Sequence, residues 1–528
     1  MTAISVAFEI FVIILLFMED NTVQNNRIAK NTLFLYIRMG VVMLASLYLV
    51  RVILNVLGVV DYGIYNVVCG FVFILNVLNL TLSNGIQRYY NDAIGRKNKE
   101  DITKIFNASL RIQFFVVLLV LFLVETIGIW VIESKMIINL DRMIATRWVF
   151  QFSALSLVAI IMQAPYTSAI LAHERMDYYA FLSIIDVSLK LGVAFLVQVI
   201  VFDKLIVYGG LMLFVSIINF LLSVGYCKLQ LKEIKYTKYL DKGYLNKMIS
   251  FSGWQIMEPI AYTLRGHGSN MVLNLFFGTI INAAYGISYQ VASYLDQFCS
   301  GIGTAFKPQL IQSYVANDYT RTNSLLYSMS KFIFALKLML CVPIIIETDV
   351  LLKFWMGDGF PYYAVSFTSL SVIVRLIDSL ILPITTVIYA TEDIKKYMVI
   401  TSLCMICTLP ASYLLFKIGY PPIYLFVSMI IVTLLTQYIC VVLLNKQCSF
   451  FNKTDYLRRV VLPCFCLCVI VYSITLGLSF FVRNEILRIV VVCISSIFVT
   501  VLSSYFIIFD KKEKQYVNSY INKYFHKL

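Results

Sequence analysis

Four arginines interrupt sequence that is otherwise apolar: Arg38 and Arg51 within residues 31–57, Arg265 within 248–276 and Arg375 within 361–390. An arginine placed in hydrocarbon costs at least about 2.5–3.5 kcal/mol, so it normally faces protein, water or a headgroup. Each one marks either a polar path or a structural device. Arg51 lies near the end of its run and could snorkel to the interface. Arg375 has Asp378 three residues on, the spacing of a self-neutralised pair on one helix. Arg265 has no acid at such a spacing and is the strongest candidate for a ligand contact. His267 beside it could titrate, or serve as a neutral hydrogen-bonded helix histidine. Glu125 and Asp296 stand as lone acids in apolar runs and, with Asp378, are candidates for binding a coupling cation or proton.

The elements that must position these groups are membrane helices. The run that holds Arg265 reads FSGWQIMEPIAYTLRGHGSN, with Pro259, Gly266 and Gly268 inside one span. A proline removes a backbone hydrogen bond and glycines weaken the helix, which predicts a kink or unwound turn. Broken helices are tolerated at membrane depth where they line a cavity. Asn76, Asn79, Ser83 and Gln87 recur every three or four residues along one face of the second span. They suit either sugar contact or hydrogen bonds between helices. Asp186 and Lys190, four apart, read as a structural ion pair.

Composition narrows the class. Sixty per cent of the 528 residues are hydrophobic and 14% charged, which fits a polytopic membrane protein without a sizeable soluble domain. The net charge of +14 sits mainly in short loops, a pattern of membrane topology and not of nucleic-acid binding. Most of the twelve cysteines lie inside apolar runs. Cys464, Cys466 and Cys468 fan out around a helix instead of converging on a metal, so they read as reduced packing residues. No Walker A, HExxH or nucleophile-elbow motif is present, and no catalytic residue, metal or cofactor is assigned.

Fourteen spans are expected, near 31–57, 62–84, 110–132, 147–171, 179–202, 205–227, 248–276, 281–306, 328–348, 361–390, 397–417, 421–444, 457–481 and 487–509. Residues 1–30 form an N-terminal segment, of which 1–17 read as an upstream extension. One set of loops carries about 29 Lys and Arg against about 8 on the other side, so the positive-inside rule places both termini in the cytoplasm. The chain also repeats itself. Pro165, Thr167, Ile170, Ala172, Glu174 and Tyr179 recur as Pro383, Thr385, Ile388, Ala390, Glu392 and Tyr397. Likewise Leu54-Asn55 and Tyr62-Gly63-Ile64 recur as Leu273-Asn274 and Tyr285-Gly286-Ile287. Six helices per unit is an even number, so the repeat is parallel. The expected division is a bundle at 31–229, a basic cytoplasmic linker at 230–247, a second bundle at 248–445, and two extra helices with a tail at 446–528.

Two six-helix units with a final pair resemble the multidrug/oligosaccharidyl-lipid/polysaccharide exporter (MOP) superfamily, with a MATE-like fold. The stretches RIAKNTLFLYIRM, SLYLVRVILNVLGVVDYGIYNVV and TLSNGIQRYYNDAIGRKN are similar to the polysaccharide biosynthesis or O-antigen flippase family. The likeness continues through QAPYTSAILAHERMDYYA and fades to hydropathy after about residue 446. It implies a non-enzymatic flippase in the bacterial inner membrane. Such a protein moves a polyprenyl-diphosphate-linked oligosaccharide, an O-antigen or capsule repeat unit, between leaflets through a cavity open alternately to each side. Membrane lipids and polysaccharide polymerase machinery are the implied partners. The substrate's diphosphate calls for buried cations, and arginine's planar fork offers paired donors that stay charged. Arg38, Arg51, Arg265, His267 and Arg375 are then candidate contacts. Arg88 and Lys307, at the cytoplasmic ends of spans two and eight, could receive the diphosphate on entry or simply obey the positive-inside rule. The rivals are a multidrug exporter of the same superfamily and a peptidoglycan-precursor flippase. A polysaccharide polymerase or ligase would want a longer extracytoplasmic loop than any here.

Overall fold

A computed structural model describes residues 22–96, 98–173, 175–231, 233–237, 243, 257–357, 359–391, 394–509 and 514. The segment 1–17, much of the linker and most of the tail lie outside the described residues, as do 248–256 of the expected seventh span. The described chain is all-α. It comprises α1 (Thr22–Gly95), α2 (Lys99–Ser134), α3 (Leu140–Ala172), α4 (Met176–Val199), α5 (Lys204–Gln230), α6 (Met257–Thr263), α7 (Ser269–Phe277) and α8 (Thr279–Val315). After these come α9 (Tyr319–Ile346), α10 (Thr348–Met356), α11 (Ala364–Ala390), α12 (Lys395–Ile418), α13 (Tyr424–Gln447), α14 (Lys453–Ser479) and α15 (Glu485–Ile507). Eleven of the described helices have the length and hydropathy to cross a membrane.

The breaks follow from single residues. At Gly58, φ 77° and ψ 170° fold α1 into two arms with no loop between them. Gly278 adopts φ 76° and ψ −170° between α7 and α8, and Gly357 ends α10 with φ 77° and ψ −166°. That region of conformational space is essentially reserved for glycine. The short turn expected after Leu57 is thus one residue long. All three glycines lie at one end of the molecule, called here the glycine end. In α11, Pro383 withholds the amide that would bond the Ser379 carbonyl, and the helix steps at Ser379–Leu380. The expected loop 349–360 contains the amphipathic α10.

The helices are described in two sets, α1–α5 and α6–α15, each with an apolar cluster of its own. The first set closes around Ile64, Val67, Val120, Val149, Phe150 and Ile161. The second closes around Leu326, Leu338, Cys341, Ile384, Cys440 and Leu467. The final pair, α14 and α15, joins this second core through α9. Arg488 clasps Glu347 with two bonds of 2.7 and 2.9 Å, and Ser496 donates to the Met339 carbonyl at 3.0 Å. A further apolar cluster bridges the sets, with Leu49, Ile53 and Tyr62 against Leu273, Ala283, Leu352 and Met356.

Polar contacts between the sets gather at the glycine end. Trp355 Nε1 donates to the Leu47 carbonyl at 2.6 Å and Arg51 Nη1 to the Phe354 carbonyl at 3.4 Å, so α10 straps the first arm of α1. Asn274 Oδ1 accepts from the Ile137 amide at 2.9 Å. The second arm of α1 crosses α8 closely, against its backbone at Gly63 and with the Asn66 side chain pressed onto Gly286. A Cβ on Gly63 would sit 2.0 Å from the Thr279 carbonyl oxygen, and one on Gly286 would sit 2.6 Å from Asn66 Oδ1.

Candidate functional site

The weak point expected around Gly266 and Gly268 is a π turn, Leu264–Gly268, joining α6 to α7. Its Gly266 carbonyl accepts from Tyr285 of α8 at 2.8 Å, so a group freed by the irregular ladder is satisfied. The turn holds Arg265 inward, buried, about 20 Å along the helix from Gly278 at 1.5 Å per residue. That depth is well inside a bilayer core about 30 Å thick.

Arg265 is not alone there. Its Nη1 lies 3.3 Å from Asp378 of α11, and its Nη2 donates to Thr433 Oγ1 of α13 at 2.5 Å. Arg375 also reaches Asp378, at 3.7 Å, and its Nε lies 3.3 Å from Asp296 of α8. Lys337 of α9 donates to the other Asp296 oxygen at 2.6 Å and to the Arg375 carbonyl at 3.2 Å. Tyr262 accepts from Arg375, whose guanidinium lies over its ring at 5.1 Å, and donates to Asp296 at 3.1 Å. The five charged side chains therefore form an alternating chain, Lys337–Asp296–Arg375–Asp378–Arg265. Pairing of this kind is what allows charges to stay ionised when buried. Between Arg265, Arg375, Tyr262, Tyr285 and Tyr289 lies a cavity of about 20 Å³, room for about one water.

Two sequence expectations change here. Arg265 has no acid three or four residues away but gains one 113 residues away. Asp296 is not lone, because Lys337 and Arg375 both hold it. Lys337, set in the apolar run FIFALKLML, escaped the sequence reading. A single lysine in the middle of such a run was the available signal. The expected i, i+3 contact of Arg375 with Asp378 is present, but Asp378 is shared with Arg265.

The remaining candidates lie elsewhere. Arg38 falls on α1, with its side chain outside the described residues. Arg51 belongs to the strap at the glycine end. His267 sits at mid-depth on the seam between the helix sets, its ring 6.1 Å from Phe73 and 5.2 Å from Tyr289, and 3.1 Å from where a Cβ on Gly70 would be. Arg88 is exposed toward the end opposite the glycines. Lys307 lies there too, 5.8 Å over the ring of Tyr389, whose hydroxyl donates to Glu258 at 2.7 Å. Glu125 is exposed in a π turn of α2 and accepts from Gln151 at 3.3 Å. Gln151 in turn lines a hollow of about 390 Å³ between α2 and α3, away from the charged chain.

In the first helix set several polar groups bond one another. Asp186 accepts from Lys190 at 2.6 Å and from Asn219 at 2.9 Å. Asn79 accepts from Gln113 at 3.1 Å and donates to Asn76 at 3.2 Å, while Ser83 donates to the Asn79 carbonyl. Asn76, Asn79 and Ser83 of the amide row are thus used for packing between and along helices, and the alternating charged chain lies in the second set.

No protein-family model matches the sequence, and no curated protein matches it. Solved structures do. The lipid II flippase MurJ in an inward closed conformation superimposes with a TM-score of 0.66 at 16% identity, over 90% of this chain and 98% of that one. An inward-facing multidrug resistance MATE transporter of the MOP superfamily gives 0.64 at 9% identity, over 76% and 95%. A MOP superfamily transporter from Pyrococcus furiosus, described by the reverse polarity of its binding pocket, gives 0.57 at 10% identity, over 79% and 96%. The chain has the fold of the MOP superfamily transporters.

Proposed function

We propose that this protein is a flippase that moves a polyprenyl-diphosphate-linked oligosaccharide from the cytoplasmic to the outer leaflet of a bacterial inner membrane. The observation that carries the reading is the buried chain of three cations and two carboxylates at mid-depth. An anionic headgroup is the ligand such a site favours. Arg265 and Arg375, which line the small cavity, are its direct contacts, with Arg88 and Lys307 receiving the headgroup at the basic end. The fourteen spans, two six-helix units and cytoplasmic termini belong to this reading. Loop charge turns the glycine end outward, so the contacts of Trp355, Arg51, Asn274, Gly63 and Gly286 close the outer side. The cycle opens that seam and closes the basic end. With an inside-negative potential, export of an anion gains about 2.3 kcal/mol per charge per 100 mV, so no ATP site is required.

The second reading is transport of a peptidoglycan precursor. It is favoured by the match to the lipid II flippase, which covers more of this chain than the multidrug transporter does. Both readings share the diphosphate site. The deciding experiment is the sidedness of lipid-linked oligosaccharide in cells lacking this protein. Accumulation on the cytoplasmic leaflet, relieved by wild type but not by Arg265→Ala, is expected. Accumulation of the peptidoglycan precursor selects the second reading, and drug sensitivity with neither lipid accumulating refutes both.

A further inference from the structure

We infer that Lys337 sets the anion preference of this site by supplying its one surplus positive charge. The inference rests on the diphosphate reading above and assigns a role to a residue that lines no part of the cavity. The charged chain begins and ends on a cation. Asp296 is divided between Lys337 and Arg375, and Asp378 between Arg375 and Arg265. Three positive and two negative groups leave a sum of +1. Without Lys337 the sum is zero, and Asp296 turns wholly to Arg375. Lys337 is itself buried on α9, and its second partner is an uncharged carbonyl, so nothing else in its described contacts cancels it. Glu258 and Lys307, grouped around Tyr389, add one charge of each sign and leave the balance unchanged. Lys337 is therefore a positioning residue. It occupies one oxygen of Asp296 and frees part of the Arg375 fork, while Arg265, at the opposite end of the chain, meets the ligand.

The sum can be rewritten by mutation. The full-length protein is purified in nanodiscs, and binding of farnesyl diphosphate is titrated against farnesol as the uncharged control. Wild type binds the diphosphate in preference to the alcohol. Lys337→Met weakens diphosphate binding at least tenfold and leaves farnesol unchanged, whereas Lys337→Arg stays within threefold of wild type. Lys337→Met with Asp296→Asn returns the sum to +1 and recovers most of the loss. Asp296→Asn alone raises it to +2 and tightens binding, a result that a purely structural role for the pair does not give. If Lys337→Met does not fold, Asp296→Asn decides: tighter binding supports the inference and weaker binding overturns it. Wild-type affinity in Lys337→Met, or a folded double variant that recovers nothing, also overturns it. Failure of wild type to prefer the diphosphate overturns the substrate reading and this inference with it.

Discussion

Substituting Gly63 by alanine tests whether the seam at the glycine end is as tight as the geometry requires. The added Cβ would lie 2.0 Å from the Thr279 carbonyl oxygen and 2.8 Å from its carbon. Non-bonded carbon contacts settle near 3.5–4.0 Å, so α1 and α8 must part by roughly 1 Å or more. The obstacle is backbone near the start of a helix, and no rotamer change relieves it. Overpacking of this kind costs about 1–3 kcal/mol. If the strain exists only while the seam is closed, it becomes a shift of about 5- to 150-fold toward the open arrangement. Spin labels at Asn139 and Lys353, both exposed and on opposite helix sets at the glycine end, report the change as a longer distance population by pulsed electron resonance. The background replaces the exposed Cys407 and Cys466. Gly192→Ala is the control, because nothing lies within 4 Å of its Cβ position and a helix-interior alanine is neutral or stabilising by about 0.5–1 kcal/mol. An unchanged distance distribution together with an unchanged melting temperature in Gly63→Ala would refute the reasoning. A lower melting temperature with no new distance would reduce Gly63 to a packing position.

Other perturbations follow from the same contacts. Arg488→Met leaves Glu347, 3% exposed, without its bidentate partner. Thermal unfolding should show a loss on the order of 3 kcal/mol, with farnesyl diphosphate binding retained. Arg142 bridges Asp61 at 2.5 Å and Asp203 at 2.6 Å, tying α1 just past its Gly58 bend to the starts of α3 and α5. Arg142→Leu should lower the melting temperature and increase proteolysis at residues 200–203. Burial alone would raise the Asp203 carboxyl, but the Arg142 bond and the amides of Ile206 and Leu205 outweigh it and hold it below its ordinary value of 3.8. Its stabilising contribution is complete above that value and is lost as pH falls through the folded one. An acid-unfolding titration should therefore show a smaller fall below pH 4 in Arg142→Leu than in wild type.

Much of this architecture can be read from local sequence. Gly58 and the glycines after Arg265 announce their breaks because only glycine tolerates one and weakens the other. Asp186 and Lys190 announce their bond because four residues bring them together on one helix. The charged chain could not be read that way. Asp296 and Lys337 lie 41 residues apart, and Arg265 and Asp378 lie 113 apart. Apart from Arg375 and Asp378, three apart on α11, which acid meets which base is decided by the packing of α8, α9 and α11 and by no spacing within a helix. Arg51 shows the reverse case. Its place near a helix end suggests snorkelling, yet a neighbouring strap, α10, gives it a carbonyl to hold. That strap went unread because nine residues are too short to register as a span.

The one-residue joints at Gly58 and Gly278 also bear on how the protein meets its surroundings. Two helix-to-helix connections at the glycine end contain no loop, and so offer no extended chain for a protease or an antibody to grip. Cleavage and inserted epitopes on that face are confined to real connections such as 135–139 and 200–203. A tag placed at Gly58 or Gly278 would instead force a non-glycine residue into a glycine-only conformation and disturb the joint that sets two helices against each other. A membrane protein built this way presents at that end a surface made mostly of helix ends.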